Sequence, residues 1–199
     1  MERLPKEILE HRIGDYPINP LILGRWSPRA MTGESLEERE FMPLFEAARW
    51  APSAYNNQPW RFLYAKRETP EWDLFFNLLI DFNKSWCKNA SLLGLILART
   101  TFEKTGKPSI THAFDTGAAW ENLFLEGTTR GLVVHGMQGF DYEKAKRSLN
   151  VPEDFAVLAM FAVGKRALKE TLPQDLQEKE VPSSRKKLSE IVFKGTFPK

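Results

Sequence analysis

The 199-residue chain carries 28 Lys and Arg against 26 Asp and Glu, a net charge of +2, with 42% hydrophobic residues. That is enough for one domain with a substantial core, and too little excess charge to hold nucleic acid or an anionic membrane surface. Cys87 is the only cysteine, which excludes an intrachain disulfide and a four-thiolate metal site. No segment reaches the ~20 apolar residues of a membrane span and no leader pattern opens the chain, so the expectation is a cytoplasmic protein.

Residues 1–20, with Pro5, Pro17 and Pro20, read as an extension ahead of the regular elements. From Ser35 the pattern is helical: Ser35 and Glu38 have capping-box spacing, and Leu36, Phe41, Leu44, Phe45 and Ala48 recur at three- and four-residue intervals. Pro52 ends this helix. Residues 61–66 form a strand, and residues 71–80 a helical stripe of Trp72, Phe75, Phe76 and Leu79. Residues 91–98 are apolar almost throughout, the mark of a strand covered on both faces. Ala113 to Arg130 is a helix carrying Gly117, Ala118, Ala119 and Gly127, and Gly131 is its C-terminal stop. Two more buried strands, 132–134 and 155–163, flank a short helix from Asp141 to Leu149. The fold class is therefore α+β: one domain over residues 1–199, with a mixed, mainly antiparallel central sheet flanked by helices. The polar tail, residues 167–199, is either loose or ordered across a second protomer, and residues 1–20 raise the same question.

Several kinds of chemistry lack a signature. There is no G-x-G-x-x-G, no P-loop and no G-x-S-x-G. His11, His112 and His135 stand far apart without metal-ligand spacing, so no metal site is expected. Two segments do carry chemistry. In Gly24-Arg25-Trp26-Ser27-Pro28-Arg29, an extended backbone turns Arg25, Ser27 and Arg29 to one side, where guanidinium groups and a hydroxyl suit a dianionic phosphate. The second, Ala48 to Trp60, ends a helix in a proline-bracketed loop dense in amides, whose paired donors and acceptors match a heterocycle edge or a polyhydroxyl chain.

These two segments resemble the FMN-dependent nitroreductases, whose R-x-S-x-R/K and A-R-x-A-P-S-x-x-N-x-Q-P-W patterns recur here in order and at similar separation. The likeness continues through residues 82–91, the small-residue helix 115–132, the loop 136–141 and Pro182-Ser183-Ser184-Arg185. It implies FMN at a homodimer interface. Arg25, Ser27, Arg29 and Arg185 would hold the phosphate and ribityl chain, with the backbone of Trp26 against that chain. Pro52, Ser53, Ala54 and Asn56 would come from the other subunit to cover the flavin. Asn83 would meet the pyrimidine edge, and Gln138 and Gly139 would offer N–H groups near N5 and O4. Two positions depart from the family: Trp86 and Ser183 stand where members often carry lysine.

The activity so implied is oxidation of NADH or NADPH and reduction of a small-molecule acceptor, a nitroaromatic or quinone, in a ping-pong cycle through flavin N5. No side chain is assigned as a catalytic acid or base. Two alternatives stay open: other chemistry on the same scaffold, such as dehalogenation or dehydrogenation, and a flavin-binding protein without turnover.

Overall fold

The structure, a computed structural model, describes residues 4–198, so Met1 to Arg3 of the N-terminal extension and Lys199 of the tail lie outside it. In chain order the elements are α1 (Lys6–Leu9), α2 (Pro20–Gly24), α3 (Glu38–Arg49), β1 (Trp60–Lys66), α4 (Trp72–Phe76), α5 (Asp81–Cys87), β2 (Leu92–Arg99), α6 (His112–Thr129), β3 (Leu132–Met137), α7 (Tyr142–Ser148), β4 (Phe155–Lys165) and α8 (Gln174–Gln177).

The four strands form one sheet in the order β1-β2-β4-β3, antiparallel at every step. The uniformly apolar β2 takes an inner place because both of its faces are covered. Leu93, Leu95 and Leu97 pack with Phe75, Trp86 and Met160 on one side. Leu92 and Ile96 pack with Leu44, Leu123 and Phe161 on the other, beneath α3 and α6. This is the expected α+β architecture, with its main helix pair on one face of the sheet and α4, α5 and α7 on the other.

Three local readings need adjustment. The first long helix begins at Glu38, and the side chain that closes its start is Glu40, whose Oε2 accepts from the Glu37 amide at 2.8 Å. The Ser35 and Glu38 spacing therefore lies two residues too early. Leu36 and Phe41, both buried, are the N′ and N4 residues of a hydrophobic staple that sets the entry point instead. The stripe expected over 71–80 is helical only from Trp72 to Phe76, because Leu79 leaves the helix to bridge Phe140. The tail is also less loose than its composition implies. Leu172, Leu176, Glu180 and Pro182 are buried against this chain, whereas Ser183 to Pro198 is exposed.

Gly94 marks the tightest point of the core. It pairs with Phe161 across β2 and β4, and a Cβ at Gly94 would lie 2.1 Å from the Phe161 ring. The aromatic ring needs the space that a missing side chain leaves. Gly94→Ala is therefore expected to cost at least roughly 1–3 kcal/mol through overpacking, measured as a lower urea midpoint with unchanged slope. Gly94→Ala with Phe161→Leu should recover part of that loss.

Candidate functional site

Burial alternates along residues 25–30. Trp26, Pro28 and Ala30 are buried, while Arg25, Ser27 and Arg29 are partly exposed, so the expected one-sided array is present. An extended chain advances about 3.3 Å per residue, which separates Arg25 from Arg29 by roughly 13 Å. The two guanidinium groups accordingly have different neighbours.

Arg25 Nε lies 3.7 Å from Glu121, and its guanidinium stacks over Phe124 at 4.3 Å. Behind it stands Arg12, only 7% exposed and absent from the sequence-based site. Arg12 Nη1 donates to the carbonyls of Leu23, at 2.9 Å, and Arg25, while its Nε donates to Ser183 at 3.0 Å. One guanidinium thus joins the N-terminal extension, the extended strap of residues 25–30 and the tail, where Arg185 follows. Burial, then Arg185, then Arg25 push the Arg12 pKa below its ordinary value. Burial also lowers the pKa of Arg25; Glu121 opposes that shift and Arg185 adds to it. Three cations are thus held together against mutual repulsion, with Glu121 as the nearby carboxylate.

Arg29 belongs to the next stretch of the same face. The backbone N–H groups of Arg29 and Ala30 donate to Glu180 Oε1 at 2.7 and 2.9 Å, and Arg29 Nη1 lies 4.0 Å from Glu180 Oε2. Glu180 is 4% exposed and pins the tail to the strap. His135 on β3 donates from Nδ1 to the Pro28 carbonyl at 2.8 Å, since a carbonyl can only accept. Burial, with Arg29 nearby, lowers the His135 pKa to about 4 against the raising effect of its backbone hydrogen bonds, so the imidazole is neutral at pH 7. The Trp86 ring packs 4.6 Å from that imidazole. Arg29 Nε and Trp86 Nε1 are buried donors without a partner, and Glu180 Oε2 is a buried acceptor without one. Such groups are costly unless something meets them.

The strip of side chains that runs from Arg25 past Arg29 and Trp86 ends at Asn83, whose Nδ2 donates to the Gly139 carbonyl at 2.9 Å. Asn83 and Gly139 are thus brought together, with Gln138 exposed beside them. Lys84, the nearest candidate to replace the lysine missing at Trp86, is 3.6 Å from Asp81, and Lys88 is exposed.

Pro52, Ser53, Ala54 and Asn56 are not part of this strip within one chain. Ala54 N donates to the buried Asp115 at 3.0 Å in the first turn of α6, nine residues and about 13 Å along the helix from Phe124 beside Arg25. Tyr55, Asn56 and Gln58 adopt φ of 51, 54 and 48° without being glycine, and Ser53 Oγ holds the Gln58 amide at 3.0 Å. Arg12, Glu180, His135 and Asp115 were missed because each acts through burial beside a distant backbone, for which sequence has no local sign. Among the described residues no group of three or more His, Cys, Asp or Glu could hold a metal, and no helix is long and apolar enough to cross a membrane.

The model of the Nitroreductase family matches residues 22–71 and 81–165, more than half of the chain. The chain belongs to that family. A crystal structure of an oxidoreductase containing FMN is 42% identical, covers 94% of this chain and 96% of its own, and superposes with a TM-score of 0.90. The nitroreductase family protein from Streptococcus pneumoniae, at 21% identity, shares the fold over 86% of this chain and 96% of its own, with a TM-score of 0.67. Protein DrgA of Synechocystis is 28% identical over 157 residues, 65% of this chain and 73% of DrgA. The family match begins after Arg12 and ends before Glu180, so both anchors of the strap lie outside it.

Arg12→Met should leave three carbonyls without their donor and cost about 2–3 kcal/mol. Amide exchange is expected to accelerate around residues 183–187 before it does in β2. His135 supplies a pH test. Its folded pKa, about 4, lies below the unfolded value near 6.5, so the unfolded chain binds a proton between them and stability falls as pH drops through that window. The loss reaches up to about 3 kcal/mol by pH 4, and His135→Asn should flatten the profile between pH 7 and 5 in thermal unfolding.

Proposed function

We propose that this chain is an FMN-dependent oxidoreductase that takes reducing equivalents from NADH or NADPH and passes them to small acceptors, nitroaromatics or quinones among them, in alternating half-reactions. The observation that carries the reading is the strip itself. A cluster of three guanidinium groups lies at one end, and an amide and loop backbone lie at the other, with orphaned buried donors between them. A phosphate tail and a flat hydrogen-bonding ring fit such a strip from end to end. The 42% identical relative that contains FMN supports the same assignment.

In this reading Arg25 and Arg185, backed by Arg12, hold the phosphate, and Ser27 with the Trp26 backbone holds the ribityl chain. Arg29 reaches toward the ring, where its unpartnered Nε finds an acceptor. Asn83, Gln138 and Gly139 border the ring edge. FMN, when bound, supplies reversible two-electron chemistry. The chain's residues bind and orient it, and none needs to move a proton. His135 is neutral at pH 7 and bonded to Pro28, and burial raises the Cys87 thiol well above its usual pKa, so neither is poised as an acid or base.

A homodimer completes the site. Pro52, Ser53, Ala54 and Asn56, turned away from the strip in their own chain, would cover the flavin of the partner subunit. Ile110 and Phe114 at the start of α6 are 94% and 81% exposed, and Ile191, Val192 and Phe197 in the tail are also exposed. Exposed apolar side chains of this size favour contact with a second copy.

An absorbance spectrum of purified protein, followed without oxygen as NADH and then NADPH are added, tests the proposal. Flavin bands that bleach with either donor and return with an acceptor are expected. A colourless protein that takes up no FMN would overturn it. Arg25→Ala should weaken FMN binding roughly tenfold to a hundredfold while changing riboflavin binding little, because only the phosphate contact is lost.

A further inference from the structure

A cleft of about 960 Å³ opens between the 54–58 loop and residues 102–107, away from the arginine strip. Its apolar walls are Tyr55 and Phe102, with ring centroids 5.8 Å apart at 76°. Tyr55 is 93% exposed, so its ring faces the cleft and solvent rather than the core. The floor is not loose. Asn57 Nδ2 donates to the Thr101 carbonyl at 3.2 Å, and the Glu103 amide donates to Asn57 Oδ1 at 3.1 Å, lacing the two loops together. Three left-handed non-glycine residues at Tyr55, Asn56 and Gln58 are held in place by that lacing, and backbone strain of this kind concentrates at ligand clamps.

The charges in the cleft are one-sided. Arg61, Lys104 and Lys107 line it and form no ion pair among the described residues. Its carboxylate, Glu103, is 3.5 Å from Arg99, which also meets Asp154 at 3.3 Å, so that negative charge is answered outside the cleft. Arg61 is held in position by Nη1 bonds to the carbonyls of Gln58 and Trp60 at 3.0 and 2.7 Å. Cations around a concave wall focus their field on what enters, and an exposed aromatic surface beside them gains by covering itself with a flat apolar body.

We propose that this cleft docks the electron acceptor, and that the acceptors it favours are planar aromatic anions whose ring packs on Tyr55 and Phe102 and whose charge faces Arg61, Lys104 and Lys107. The proposal rests on the oxidoreductase reading above, in which the same loop covers the flavin of the partner subunit and brings the cleft beside it. For a nitroarene the balance is simple. The dihydronicotinamide gives a hydride by way of the flavin, solvent gives a proton, and one N–O bond is lost as water, leaving a nitroso product and oxidised nicotinamide.

The test compares 4-nitrobenzoate with its neutral isostere 4-nitrobenzamide on the flavin-loaded protein. The KM for the anion is expected to be roughly three- to tenfold lower, and the gap should narrow with added salt. In Lys104→Gln/Lys107→Gln the anion-to-neutral ratio should fall to within about twofold, with the flavin-to-protein absorbance ratio unchanged. Calorimetry with benzoate and benzamide, which turn nothing over, should show the same order. Equal KM values and equal affinities in the parent protein, or an anion preference that survives the double substitution, would overturn the proposal. Protein that takes up no FMN defeats the functional reading alone, and the calorimetric comparison then decides the cleft by itself.

Discussion

The strap formed by residues 25–30 joins the sheet by a single bridge, from Met31 at its end to Arg166, so its backbone must find partners elsewhere. It finds them in side chains from distant parts of the chain. Arg12 donates to Leu23 and Arg25, His135 donates to Pro28, and Glu180 accepts from Arg29 and Ala30. Each bond fixes one point of an extended segment, and together they fix which of its side chains face outward. A one-sided array is the outcome: Arg25, Ser27 and Arg29 are presented because the inward bonds leave them no other direction.

The same arrangement explains why both ends of the chain meet the strap. Glu180 holds the tail near the strap, and Arg12 then reaches the carbonyl of Ser183, to which Arg185 Nη1 also donates at 3.2 Å. A cluster of like charges would separate if it rested on flexible side chains alone. Here a buried guanidinium and a buried carboxylate, each bonded to backbone, resist that repulsion. The cost is a set of polar atoms left without partners, Arg29 Nε, Trp86 Nε1 and Glu180 Oε2 among them. They are the points at which the folded chain still has bonds to offer.

The 52–58 loop shows a different division of labour. Ala54 and Asn57, which lie among its left-handed residues, are bonded to Asp115, Thr101 and Glu103, while Pro52, Tyr55, Asn56 and Gln58 are exposed. A loop made rigid yet turned outward suits a role on a neighbouring surface. It shares with residues 102–107 an aromatic and cationic lining.

Much of this was legible in the amino-acid order. Hydrophobic period separates the longer helices from the strands and marks residues 91–98 as doubly covered, because burial on one or two faces imposes its own spacing, whereas the short helix Asp81–Cys87 carries no such period. Alternation in Arg25-Trp26-Ser27-Pro28-Arg29 likewise reveals which residues share a side. Helix starts were less legible, since Ser35 and Glu38 have the right spacing but the staple between Leu36 and Phe41 decides where the turn begins. The tertiary structure alone decided that Arg12 and Glu180 anchor the strap, that the partly buried His135 is neutral at pH 7, and that Arg25 and Arg29 have different neighbours. Those facts depend on contacts between residues up to 171 positions apart, as between Arg12 and Ser183, and on the loss of water around them. Local sequence encodes direction and period, whereas solvent exclusion and charge proximity exist only once the chain has closed on itself.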